Sequence, residues 1–283
     1  MAGLGRWEEA AAAQDEAVRL LTEADDPALA ASLARAMQDR IGLFEKLGRV
    51  EEALAAADEL AHRFVGDDDK AVMEVVASAM HAAGRLLVKL RRPDEGLARL
   101  DEVVRRFGDA AGTSARHEAA RARLLQALLL GREERWDEAE RAYRDVANRL
   151  ASTPDPRSRE LAAEALMLLE TGLHSRERRG QALAVCDELL SRFGDTSEPN
   201  LRRIVARALR DRCRLLHKQG HLAASATAAA DVVTRFRDDD DSRVQALVGD
   251  AMVIQLIDLI GLGAIRGGPR PDGRVTGLVR RTL

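Results

Sequence analysis

A chain of 283 residues is long enough for a sizeable buried core, and 46% apolar with 32% charged residues is the composition of a folded, water-soluble protein. Aromatic residues make up only 3%, too few for base-stacking platforms, and a net charge of -3 argues against a wholesale nucleic-acid-binding field. Two cysteines, Cys186 and Cys213, exclude a disulfide framework, and without a signal peptide or an 18-residue uncharged apolar run the expectation is a cytoplasmic protein with no membrane span.

The composition is rich in good helix formers, and the apolar spacing predicts two kinds of helix in strict alternation. A second-type helix is expected over 6–21, then a first-type helix over 27–46, with Leu33, Ala36, Met37, Ile41 and Phe44 on one face. The same pair recurs as 49–64 and 71–90, 93–107 and 114–133, 136–150 and 157–177, 179–193 and 200–219, and 222–236 and 241–261. The turn from each first-type helix to the next second-type helix is two or three residues, which forces the two to run antiparallel. The opposite connections are longer and acidic, as at Val65–Lys70 and Arg237–Asp241. Their aspartates suit helix N-caps better than a calcium loop, since the spaced ligands and closing glutamate of an EF-hand are missing.

Four columns of residues recur every 43 positions without insertion. Ala36, Ala79, Ala122, Ala165, Ala208 and Ala251 are alanine six times out of six, which requires a neighbouring backbone to pass too close for anything larger. Ala10, Ala53, Gly96, Ala139, Ala182 and Ser225 form a second small column. Leu21, Phe64, Phe107, Leu150, Phe193 and Phe236 plug the ends of the second-type helices. Phe44, Leu87, Leu130, Leu173, Leu216 and Leu259 do the same for the first type. Arg63, Arg106, Arg149, Arg192 and Arg235 precede the Phe/Leu plug, in a last helical turn whose dipole favours a cation. Trp7 and Trp136 share one column, so packing accounts for both.

The string Gly48-Arg49-Val50-Glu51-Glu52-Ala53, matched by Gly5-Arg6-Trp7-Glu8-Glu9-Ala10, resembles the turn of the tetratricopeptide (TPR) family, and the resemblance covers about residues 5–262. Leu97–Asp109 looks closest to long-repeat bacterial members. The period is longer than the usual 34, and the turn position becomes Arg91, Glu134 and Glu177 before returning to Gly220. HEAT and armadillo repeats, nearer in length, rank second because they lack this turn. The resemblance implies an all-α, right-handed α-solenoid of about twelve helices over 1–262. It also implies a non-catalytic scaffold that binds a peptide or protein along the first-type helices. A regulatory or sensor segment of a larger protein is the alternative, because the chain opens on a second-type helix and closes on a first-type one. Residues 263–283, rich in Gly, Pro and Arg, read as a flexible basic tail.

On the fifth first-type helix Arg207, Arg210, Arg214, His217 and Lys218 share one face, and the same columns elsewhere hold Arg85, Lys89 and Arg121. This predicts a partly basic groove suited to an acidic peptide, diluted by Asp39, Glu45, Glu164 and Asp211. The sixth differs: Val253, Ile254, Ile257 and Ile260 add an apolar inner face to an outer one of Val248, Met252, Leu256 and Leu259. That predicts a docking surface for a partner or a second copy of the chain, unless the tail or a further helix outside this sequence covers it. Cys213, His217 and His221 are four apart, but His221 lies past Gly220, and Cys213 sits in the core column of Ile41 and Leu256. A core cysteine is therefore expected rather than a metal ligand. No phosphate loop, nucleophile elbow or zinc-protease signature occurs, so neither catalysis nor a cofactor is expected.

Overall fold

The computed structural model describes residues 2–110 and 113–263; the expected tail at 264–283 lies outside them. Among the described residues there are twelve α-helices and no strand. The second-type helices are α1 (Ala2–Glu23), α3 (Val50–Arg63), α5 (Pro93–Phe107), α7 (Trp136–Leu150), α9 (Arg179–Phe193) and α11 (Leu222–Phe236). The first-type helices are α2 (Ala30–Lys46), α4 (Lys70–Lys89), α6 (Thr113–Arg132), α8 (Pro156–Ser175), α10 (Pro199–Lys218) and α12 (Ser242–Gly261), with a 3₁₀ turn at Pro27–Leu29 ahead of α2. Most expected boundaries hold within two residues. The exceptions are α2, whose expected first three residues form the 3₁₀ turn, and α1, which begins before Gly5, so the Gly5-Arg6 pair lies inside a helix and not in a turn.

The chain divides into two compact units, 1–142 and 143 onward, the division falling within α7. In the first unit consecutive helices pack against one another, and α2, α4 and α6 also pack side by side. In the second, α8, α10 and α12 do the same. The second-type helices show no comparable side-by-side packing among the described residues, so the first-type helices form a continuous face in each unit.

The core follows from the columns. All six alanines of the invariant column are buried. The small column is where two helices cross most closely: a Cβ on Gly96 would lie 2.9 Å from Val88 Cγ2 and 3.0 Å from the Gly84 carbonyl oxygen. A Cβ on Gly84 would in turn lie 2.7 Å from Leu100.

The short turns keep one backbone conformation even where the sequence abandons glycine. Gly48, Arg91, Glu134, Glu177, Gly220 and Gly263 all have φ between 59° and 77°. Three of the six are side-chain-bearing residues in a region that favours glycine. What closes the turns is the backbone N–H of the following residue, donated to the carbonyl five back, as from Arg49 to Phe44, Arg92 to Leu87, Arg135 to Leu130, Arg178 to Leu173 and His221 to Leu216. At four of them a side chain adds to it, Arg49 Nε donating to Glu52 at 2.6 Å, Arg92 to Glu95 at 2.6 Å, Arg135 to Glu138 at 2.8 Å and Arg178 to Gln181. The Arg-x-x-Glu of the turn is thus a clip between the residue ahead of the second-type helix and its first turn. At the longer connections Asp69 accepts from Ala71 and Val72 N–H, Asp155 from Ser158 and Asp241 from Arg243, the expected N-caps.

The arginine ahead of the Phe/Leu plug works across repeats. Arg106 donates to the Val65 carbonyl and Arg235 to the Gly194 carbonyl. Arg192 donates to the Ala147 carbonyl at 3.4 Å and to Asn148 at 2.9 Å. Each cation therefore meets the negative end of the preceding repeat's second-type helix, and not only that of its own.

By length and composition α4 and α12 are apolar enough to cross a membrane. Most of α4 is buried within its unit, whereas α12 is mostly open and carries Arg243, Asp250 and Asp258.

Candidate functional site

In the second unit the face formed by α8, α10 and α12 collects the charged residues expected of a binding groove. Their arrangement differs from a row of free arginines. Asp211, 1% exposed, stands at the centre. Arg210 Nε lies 3.1 Å from its Oδ1, Arg214 lies 3.1 Å from the same oxygen and Arg207 Nε lies 3.6 Å from Oδ2. Arg210 also reaches Asp250 at 3.0 Å on α12. His217 Nδ1 meets the fully buried Asp258 at 2.6 Å, and Lys218 lies 3.3 Å from His174 Nε2. The residue that was expected to dilute the basic field is instead its anchor.

Burial of a carboxylate is tolerated only with compensation. Asp211 has three guanidinium groups. Glu170 on α8 has much less: it is 1% exposed, its Oε1 has no hydrogen-bond partner, and Oε2 receives only a 3.4 Å contact from Thr171. Burial, with the nearby Asp211 charge adding to it, pushes the Glu170 carboxyl up to about 7. Glu170 occupies the column of Ile41, Gly84, Ala127, Cys213 and Leu256, so a charge stands where the other repeats place apolar or small groups. Burial, assisted by Lys218 and Arg214, holds His174 below the usual imidazole range. Glu170 Oε1, His174 Nδ1, Arg214 Nε and Asp258 Oδ2 are buried without a hydrogen-bond partner, a concentration of unspent polar capacity on one face.

Arg207 and Arg214 keep 51% and 38% of their side chains exposed, so each shares its single buried anion while offering donors to solvent. Glu170, His174, Asp250 and Asp258 were missed as members of this site. The column test could have found Glu170 and also Asp258, which stands where Leu43, Leu86, Leu129 and Leu215 stand in other repeats.

The first unit is more polar and less basic than expected. Arg85 is paired with Glu45 at 2.7 Å, and Arg121 with Glu118 at 3.1 Å. Glu118 also meets His81 Nδ1 at 2.8 Å. Burial raises the Glu118 carboxyl, but His81 and Arg121 together outweigh that and hold it below the usual range. A cleft of about 450 Å³ lies between α2, α4 and α6, lined by Arg35, Gln38, Asp39, Glu74, Ser78 and Glu118 among others. Lys89 is exposed on the same set of helices.

On α12 the expected apolar surface is present: Val253, Ile257 and Ile260 are exposed and Ile254 is half-buried. Met252 and Leu256, expected on the packed face with Val248 and Leu259, are exposed as well, because no helix follows against them among the described residues. The cysteine-histidine set does not share a centre. Cys213 is fully buried, its thiol donating to the Leu209 carbonyl at 3.0 Å and pushed up to about 12 by burial, while His217 turns to Asp258 and His221 caps α11.

No family model matches the chain, and no curated protein matches it. Solved structures do. BtubC (BKLC) from P. vanneervenii superposes with a TM-score of 0.60 at 15% identity, over 95% of this chain and 96% of that one. The nearly identical TPR-like repeats of a Podosopora anserina protein described as a kinesin light chain superpose with a TM-score of 0.51 at 13% identity, over 81% of this chain and 97% of that one. With the helix order, the short left-handed turns and the side-by-side packing of the first-type helices, these likenesses establish the fold as a TPR-like helical repeat.

Proposed function

We propose that the protein is a non-catalytic scaffold that binds a peptide or protein partner through an acidic group at the α8–α10–α12 face. The observation that carries this reading is the sharing of one buried carboxylate, Asp211, among Arg207, Arg210 and Arg214, two of which remain open to solvent. A guanidinium offers five donors in a planar fork, and a partner's carboxylate is a second acceptor of the right geometry. The partner's acid would be read by position as much as by charge, since Asp211 and Asp258 repel a carboxylate placed anywhere but over Arg207 and Arg214.

The test is retention of partners by the immobilised full chain beside an Arg207→Glu/Arg214→Glu variant, with poly-glutamate added as competitor. Proteins held by the first, released by poly-glutamate and absent from the variant support the reading. An identical set on both, indifferent to the competitor, overturns it.

A further inference from the structure

We infer that the chain associates with itself head to tail, α1 of one copy docking on α12 of the next to complete a repeat. This surface is separate from the arginine face and does not depend on the reading above. Among the described residues α12 packs on α10 and α11, and α1 on α2. Each therefore leaves open the face that its counterparts bury.

The evidence is columnar. Met252 is 54% exposed, whereas Met37 and Met80 in the same column are 0% and 2% exposed. Leu256 is 51% exposed, whereas Ile41, Ala127 and Cys213 in its column are buried. In those repeats the covering element is the second-type helix that follows. On α1 the complementary stripe is half-exposed at Ala10 and Ala17, flanked by Gln14, whose amide donates to the Ala36 carbonyl of α2 at 2.8 Å, and by Leu21, which packs partly on the core. The counterparts of Ala10 (Ala53, Gly96, Ala182, Ser225) and of Ala17 (Leu60, Val103, Leu189, Val232) are all buried. Trp7 continues the stripe and is exposed at its edge, with Lys46 of α2 over its ring at 4.3 Å.

The chain itself supplies the template for this contact. Gly96 crosses Gly84 and Val88 within the pair α4–α5, and Ser225 Oγ donates to the Cys213 carbonyl at 2.9 Å within the pair α10–α11. Carried forward one period, the same register sets Ala10 of a second copy over Leu256 and Ile260. A small residue thus meets two large ones. That register commits the surface to α1 of another copy. The two faces differ, so the association does not close by two-fold symmetry and adds copies in one direction, as a ring or an open filament.

The experiment is sedimentation velocity of the full chain over a concentration series, together with oxidation of an Ala10→Cys/Leu256→Cys double variant; both native cysteines are buried. The expected results are a mass average that rises with concentration, loss of that rise in Leu256→Glu, and a ladder of disulfide-linked dimers, trimers and longer species from the double variant. Leu256→Glu changes an exposed residue, and an unchanged melting temperature shows that it remains folded. A strictly monomeric chain with no ladder, whether α12 is covered by the tail or left bare, overturns the inference. So does cross-linking that stops at dimers and appears equally in Leu256→Cys alone, which would mean α12 pairs with itself.

Discussion

Replacing Glu170 by glutamine should stabilise the protein, and only above acidic pH. In the folded chain α8's own Thr171, α9's Cys186 and α10's Arg207, Asp211 and Arg214 surround the carboxyl, and burial with the Asp211 charge lifts it from 4.5 to about 7. Between those two values the folded state holds a proton that the unfolded state has released. Stability therefore falls as pH rises from about 4.5 to about 7 and is level above that. The full penalty is about 3 kcal/mol, from about 1.4 kcal/mol for each tenfold step in acidity. Glutamine carries no charge to desolvate and keeps the shape. Urea denaturation of both proteins at pH 4 and pH 8 reads the effect: the variant should gain about 1–3 kcal/mol at pH 8 and close to nothing at pH 4. A gain of equal size at both values, or a loss at pH 8, refutes the argument that Glu170 is a buried and poorly compensated charge.

Glycine at Arg91, Glu134 or Glu177 should raise the melting temperature, each by about 1 kcal/mol of relieved backbone strain offset by a less ordered unfolded chain, whereas Gly48→Ala and Gly220→Ala should lower it by a similar amount. Gly96→Ala should cost about 1–2 kcal/mol in chemical denaturation despite alanine's better helix propensity, because its Cβ meets a carbonyl oxygen and not only a side chain. Asp69→Ala should cost about 1 kcal/mol by removing acceptors for two N–H groups at the start of α4, while Asp69→Asn should be nearly silent.

The architecture was legible because it rests on one-dimensional regularities. Six alanines in one column and six plugs in another locate every helix from the sequence, and α5, α7, α9 and α11 fall where the spacing put them. The site was legible only as a set of residue types. Arg207, Arg210 and Arg214 look like a free basic stripe because helical spacing shows which residues share a face, not what the next helix supplies. Asp250 and Asp258 come from α12, 40 or more residues away, and their pairing is a matter of helix packing. Arg106, Arg192 and Arg235 were assigned to their own helix ends for the same reason, when their partners lie one repeat back. The left-handed turn at Arg91 was hidden differently: its glycine signal is absent, and the turn is closed by the Arg92 N–H on the Leu87 carbonyl, with the pair from Arg92 to Glu95 beside it.

The arginine clasps give synthesis a direction. The carbonyls at the end of α3 are satisfied by Arg106, and those after α9 by Arg235, side chains that lie 41 residues further along. A nascent repeat leaving the ribosome is therefore left ajar until its successor emerges, a wait of about 2–8 s at ordinary elongation rates. The helix end after α11 is met differently, by Gln245, whose amide donates to the carbonyls of Phe236, Arg237 and Asp239, so that this repeat latches within nine residues and without delay.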